Sequence, residues 1–109
     1  MSLHLPEPIE RFMSSENTHD PGAIGDCFAP DATVRDEGTT RTGHAQIAAW
    51  RRETGAKYRH TVTPISVTER PDQTVVAAEL AGDFPGSPVT VDFVFQLRDG
   101  KIVSLEIAP

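Results

Sequence analysis

From Tyr58 onward the apolar residues of this chain fall at every second position, and three groups of turn-forming residues cut the pattern: Arg70-Pro71-Asp72, Pro85-Gly86-Ser87-Pro88 and Asp99-Gly100. Period two sends alternate side chains to opposite faces of an extended backbone, and Pro and Gly at these spacings close hairpins. The pattern predicts four consecutive strands, Lys57 to Thr68, Thr74 to Phe84, Val89 to Arg98 and Lys101 to Ala108, joined as an antiparallel meander. Asp99-Gly100 sets the last register, because a two-residue turn of this composition accepts the two positive φ values of a type I′ hairpin. Arg98 then faces Lys101, Leu97 faces Ile102 and Gln96 faces Val103. One sheet face carries Asp92, Val94, Gln96, Val103, Leu105 and Ile107, and the other carries Val89, Val91, Phe93, Phe95, Leu97, Ile102, Ser104 and Glu106.

Ahead of the strands the period changes. Leu5, Ile9, Phe12 and Met13 recur at helical spacing, which predicts a helix over Glu7 to Asn17 whose other face, with Glu10, Ser14 and Asn17, meets water. Asp20 can cap and Pro21 can open a second helix carrying Ile24, Cys27 and Phe28 on one face, stopped by Pro30. Asp31 to Asp36 alternates again, so Ala32, Val34 and Asp36 share one face of a short strand. A loop rich in Gly and Thr leads to Gly43-His44, and Ile47, Ala48 and Trp50 mark a third helix that ends near Gly55. No linker, repeat or low-complexity stretch intervenes, so residues 1–109 read as one α+β domain, three N-terminal helices packed on a curved antiparallel sheet.

A chain of 109 residues buries about two-thirds of its unfolded surface, enough for one core without metals or disulfides. The single cysteine, Cys27, cannot pair within the chain and reads as a buried thiol. The opening MSLHLPEPIERF has neither a basic start nor an apolar run of signal length, and no stretch approaches a membrane span, so a soluble, cytoplasmic protein is expected. A net charge of -6 argues against a nucleic-acid partner, which needs a clustered basic face. Arg51, Arg52, Lys57 and Arg59 form the only local basic group and read as a solvated helix end. His4, His19 and His44 are scattered without metal-ligand spacing, and the sequence holds no phosphate loop, nucleophile elbow or redox Cys pair. Neither metal nor cofactor is expected.

Three short helices cover one sheet face, so the second apolar face predicts a homodimer. The face with Val103, Leu105 and Ile107 is assigned to an interior pocket because the other interposes Ser104 and Glu106, and the reverse assignment is the alternative. The expected lining is Phe12, Trp50, Leu80, Phe84, Val94, Val103, Leu105 and Ile107. With a three-residue Pro85-Gly86-Ser87 turn, Leu80 comes opposite Asp92, which becomes an acid among aliphatic neighbours. Such an acid either stays protonated or finds a donor, because an unpartnered buried carboxylate costs several kcal/mol. Tyr58 and His60, two apart on one strand, share a face with Val62 and bring polar tips to the same pocket, a rim-bonded histidine being the alternative.

The order of two helices, a short strand, a helix and a meander resembles the nuclear transport factor 2-like superfamily, which includes SnoaL-like polyketide cyclases and ketosteroid isomerases. Arg11-Phe12, Asn17, Asp20, Phe28-Ala29-Pro30-Asp31-Ala32-Thr33-Val34-Arg35-Asp36, Gly43, Ile47 and Asp99-Gly100-Lys101-Ile102-Val103-Ser104 carry the likeness over nearly the whole chain. The resemblance implies a cone-shaped, cystatin-like fold, and its motifs speak for the fold more than for any one activity. Compared with ketosteroid isomerases, Asp36 matches the proton-shuttling carboxylate, and Asp92 matches the protonated acid that hydrogen-bonds the substrate oxygen. Phe12 stands where that family has an oxyanion-stabilising tyrosine. Loss of such a donor costs about two to three orders of magnitude in rate, so steroid isomerisation as such is not expected.

Two carboxylates in unequal surroundings suit acid/base chemistry, one ionised and abstracting a proton, the other protonated and donating a hydrogen bond. The expectation is a cofactor-free isomerase or cyclase-like enzyme acting on a small apolar carbonyl compound. Asp36 would be the general base, and Asp92 with His60 or Tyr58 would hold the oxyanion. A non-catalytic small-molecule binding protein of the same fold, and an assembly module whose dimer surface is its purpose, are the alternatives.

Overall fold

The computed structural model describes residues 4–18, 22–58 and 60–108, with the side chains of Lys57 and Tyr58 outside that description. Its elements run α1 (Glu7–Thr18), α2 (Ala23–Cys27), β1 (Phe28–Asp36), β2 (Thr39–Thr42), α3 (Gly43–Tyr58), β3 (Thr61–Glu69), β4 (Thr74–Ala81), β5 (Val89–Arg98) and β6 (Lys101–Ala108). The three helices pack on a six-stranded sheet of order β2-β1-β6-β5-β4-β3. The expected meander from β3 to β6 is present. The sheet is extended by β1, which runs parallel to β6, and by β2 at the edge.

Several sequence readings change. The second helix stops at Cys27, and Phe28 and Pro30 belong to β1. The stretch read as a Gly- and Thr-rich loop is a hairpin between β1 and β2, turned by Glu37 (φ 53°) and Gly38 (φ 76°). Both central φ values are positive, as a type I′ turn requires, and Glu in the first position gave a weaker signal than Asp or Asn would. Finally, α3 continues past Gly55 to Tyr58, since one helical Gly costs about 1 kcal/mol but need not end a helix. Tyr58 therefore closes a helix, and His60 lies just before β3, so the two do not share a strand. The cap read at Asp20 and Pro21 lies outside the described residues.

The largest consequence for the interior comes from the β5–β6 ladder. Asp99 (φ 53°) and Gly100 (φ 76°) make the expected turn, pairing Arg98 with Lys101 and Leu97 with Ile102. One residue later the register shifts, and Gln96 faces Ser104, Phe95 faces Leu105 and Phe93 faces Ile107. Val103 is the extra residue, with no partner across the ladder. A one-residue shift moves the rest of a strand to the opposite face. Leu105 and Ile107 thus join Phe93 and Phe95, while Asp92 is exposed and Val94 and Gln96 lie on its face. The β4–β5 loop is also longer than the three residues assumed, so Asp92 faces Ala77 and Leu80 faces Val89. Asp92 is therefore exposed on the outer face and does not line the pocket.

Further shifts between Phe28 and Thr33 and between Pro64 and Ser66 add to the bending of the sheet, and the second leaves Ile65 51% exposed on the edge strand β3. The core lies between the concave face and the helices. Ile9, Phe12 and Met13 of α1 meet Phe93, Phe95, Ile102 and Leu105 of the sheet, all buried. Phe12, expected in the pocket lining, sits in this core, with the Phe28 ring edge-on at 5.4 Å and that of Phe95 at 6.0 Å. Leu105 is likewise a core residue. Asn17, read as purely solvated, clamps α1 to the start of β3. Its side-chain oxygen accepts from the Val62 N–H at 2.7 Å, and its amide nitrogen donates to the Val62 carbonyl at 2.9 Å. His44 Nε2 reaches the Phe28 carbonyl at 2.8 Å and ties the start of α3 to β1. Among the described residues no helix is long and apolar enough to cross a membrane.

This register makes a clear distinction between two neighbouring types of position. Phe95→Ala, at a fully buried site, should lower the unfolding free energy in urea titrations by about 3–5 kcal/mol. Asp92→Ala, at an exposed site, should stay within about 0.5 kcal/mol of the parent.

Candidate functional site

The concave side of the sheet, with the last turn of α1 and the middle of α3, forms a cavity of about 380 Å³, within the size range of small-molecule sites. The apolar wall comes mainly from β5, where Val89, Val91 and Phe93 fall at alternate positions on one face, with Leu80 beside Val89 and Ile107 beside Phe93. Phe84 and Pro85 of the β4–β5 loop add to it. From α3, Trp50 and Thr54, four apart and so on one helical face, contribute an indole and a hydroxyl.

The polar groups enter from separate elements. Asp36 is the last residue of β1 and follows Val34 on the inward face, so the strand delivers its carboxyl to the cavity just before the Glu37-Gly38 turn. The indole N–H of Trp50 donates to Asp36 Oδ2 at 3.0 Å. Burial raises the Asp36 pKa, with the Trp50 hydrogen bond opposing and the negative charge of Glu37 adding to the rise. Glu16 comes from α1 and is 6% exposed. Its pKa is pushed up to about 7, first by burial, with Arg51 pulling it down and Asp36 adding to the rise. Arg51 Nε lies 3.7 Å and His60 Nε2 3.9 Å from the same oxygen, Glu16 Oε2.

Arg51 was read as part of a solvated helix end, yet its side chain is only 11% exposed. Its guanidinium lies 5.7 Å from the centre of the Phe12 ring, and Nη2 donates to Ser15 Oγ at 2.8 Å. The Ser15 hydroxyl in turn donates to the Phe12 carbonyl at 2.6 Å. This chain of contacts holds the cation beside Glu16.

Of the residues the sequence singled out, the structure brings Asp36, His60, Trp50, Leu80, Phe84 and Ile107 together around the cavity. Asp92 and Val94 lie on the other sheet face, Val103 is in the bulge, and Phe12 and Leu105 are core. The Tyr58 side chain lies outside the described residues. Glu16, Glu37, Thr54, Val89, Val91 and Phe93 line the site without having been singled out for it. Glu16 did leave a signal, because it continues the stripe of Ile9, Phe12 and Met13 at the next helical repeat, where an apolar residue is the norm. Among the described residues no three His, Cys, Asp or Glu side chains converge on a metal-sized site.

A family model described as a SnoaL-like domain matches residues 9–105. None of the curated proteins matches the sequence. Among solved structures, a candidate polyketide cyclase from Sinorhizobium meliloti is 35% identical, with a TM-score of 0.91 and 94% of each chain covered. A protein with a ketosteroid isomerase-like fold from Catenulispora acidiphila, solved in complex with trimethylamine, is 26% identical with a TM-score of 0.83, covering 97% of this chain and 87% of that one. A candidate SnoaL-like polyketide cyclase from Jannaschia is 22% identical with a TM-score of 0.76, covering 93% and 81%, and shows the fold alone.

The Glu16 environment predicts a pH dependence of stability. A carboxyl whose pKa rises from 4.5 to about 7 on folding binds its proton more tightly in the native state. Its stabilising contribution is complete below pH 4.5 and is lost as pH climbs through about 7. The unfolding free energy should fall across that window by up to about 3 kcal/mol, and Glu16→Gln should flatten most of the slope in denaturant titrations.

Proposed function

This chain belongs to the SnoaL-like domain family, and from that premise we propose that it is a cofactor-free acid/base enzyme of the isomerase or cyclase type. Its substrate is a small apolar carbonyl compound bound in the cavity, and Asp36 is the general base. The observation that carries this reading is the placement of Asp36. A half-buried carboxyl, oriented by Trp50 and made more basic by burial, faces a largely aliphatic and aromatic cavity. A base in that setting can take a proton from a carbon next to a carbonyl, and the surrounding apolar surface keeps bulk water from competing. The similarity to a candidate polyketide cyclase supports a carbonyl substrate. His60 lines the same cavity, on the oxygen side of the proposed reaction, whereas exposed Asp92 does not.

A second reading, a binding protein without chemistry, draws support from the neighbour solved with trimethylamine. Acidic and aromatic walls also suit a small organic cation here. The two readings separate on proton transfer. Binding is followed through quenching of Trp50, the only tryptophan, and reaction through deuterium exchange at the α-carbons of a panel of cyclic ketones in heavy water. Asp36→Asn should slow exchange by about two to four orders of magnitude while ketone affinity changes little. Exchange that is unaffected by this substitution would sink the catalytic reading, and binding of neutral hydrocarbons that is equally tight at all pH values would favour the carrier.

The homodimer expected from sequence is proposed on the outward side of β4 and β5, where Val75, Ala77 and Val94 lie together, half-buried. Sedimentation equilibrium should give twice the chain mass, and Val94→Lys should shift it toward the monomer.

A further inference from the structure

We propose that Glu16 is the proton donor of this cavity, giving its proton to the carbonyl oxygen of the substrate while Asp36 removes one from the adjacent carbon; this rests on the reading of Asp36 as base. The argument begins with what a buried glutamate costs. Glu16 is almost fully buried on the apolar stripe of α1, where an aliphatic residue would pack with no charge to compensate. An ion pair at such a position is weak evidence for stability, because the desolvation penalty of two charges often exceeds their attraction. What distinguishes the position is that Glu16 forms part of the cavity wall that Asp36 also lines.

The groups around the carboxyl suit a donor that must become an anion and then recover. Arg51 from α3 and His60 from the segment before β3 both approach Oε2, at 3.7 and 3.9 Å. Asp36 of β1 supplies the opposing charge. With Asp36 ionised and waiting for a proton, the neutral form of Glu16 is favoured. Once Asp36 is neutralised by the substrate proton, that repulsion disappears, and Arg51 with His60 stabilises the new Glu16 carboxylate. Arg51 needs no rearrangement to do this, since Ser15 and the Phe12 ring already hold it. The surroundings leave Glu16 titrating near neutrality, where a general acid works best.

The step balances without any co-reactant. The substrate C–H bond breaks, its proton passes to an Asp36 oxygen, and its electron pair forms the carbon–carbon double bond of an enol. The Glu16 O–H breaks at the same time, and its proton joins the carbonyl oxygen. Where the carbonyl compound is β,γ-unsaturated the enol is a dienol, and protonation of its γ-carbon by Asp36, with return of the enol proton to Glu16, gives the conjugated isomer and restores both acids.

The test uses dinitrophenolate, which stays ionised across the range of interest and mimics an enolate oxygen, with Trp50 fluorescence as the readout. Wild-type affinity should fall about tenfold for each pH unit above about 7, because only protonated Glu16 donates to the phenolate. Glu16→Gln should remove this pH dependence, His60→Gln should retain it, and the midpoint of the Glu16 carboxyl carbon in NMR titration should move to higher pH when the probe binds. A pH dependence that survives Glu16→Gln but vanishes in His60→Gln, or a Glu16 midpoint that ignores the probe, overturns the proposal. In the ketone exchange assay Glu16→Gln should slow the wild-type rate about a hundredfold or more. Exchange that falls in Asp36→Asn and not in Glu16→Gln overturns the donor role and leaves the base assignment standing. A Glu16-dependent phenolate titration alongside exchange that ignores Asp36→Asn does the opposite.

Discussion

Between Leu97 and Gln96 the β5–β6 ladder takes up one extra residue of β6, and the inside of this protein follows from that insertion. With it, Leu105 and Ile107 share the concave face with Phe93 and Phe95, and the helices have a continuous apolar surface to cover. Without it, the same two strands would split their large apolar residues between both faces. The helices contribute Ile9, Phe12 and Met13 from α1, Ile24 and Cys27 from α2, and Ile47 and Trp50 from α3 as major buried groups. A sheet face interrupted by Asp92 and Gln96 could not match them. The shift also adds local twist and bend, which suits a sheet that must leave a cavity beyond the reach of three short helices.

Polar groups inside that concavity are few and each is tied to a backbone constraint. Asp36 is placed by the end of β1 and a two-residue turn, Trp50 by the third turn of α3, and Glu16 by the helical repeat of α1. Arg51 follows Trp50 in sequence and points toward α1 instead, so one helix supplies both the donor that orients Asp36 and the cation beside Glu16. The two carboxyls thereby receive different partners: a neutral indole for one, a buried cation for the other. Their basicities are set largely by these separate neighbours, and Glu16 also feels the charge of Asp36. This separation of environments is the physical basis for assigning the two acids different roles.

Much of the fold could be read from residue order alone. Strands β3 to β6, the Asp99-Gly100 turn, α1 and the inward direction of Asp36 were all legible, because each depends on local periodicity or on the φ preferences of one or two residues. The β1–β2 hairpin was not, since Glu37 is an unusual residue for its turn. The length of α3 was not, since a glycine usually marks a helix end and here does not. At the site, Asp36, His60, Trp50, Leu80, Phe84 and Ile107 were found from sequence, whereas Glu16 was passed over even though an acid on an apolar stripe is itself a signal.

The sequence by itself determined the alternation of apolar and polar residues, the turns, and the class of fold, because these are short-range properties of the backbone. Only the tertiary structure decided which sheet face became the interior. A bulge leaves no mark in an alternating pattern, for both faces of β5 and β6 were apolar enough to be buried. The choice was made by packing: the face that could join Phe93, Phe95, Leu105 and Ile107 under α1 and α3 became the core. With it went Asp92, outward to solvent, and Glu16, inward beside Asp36.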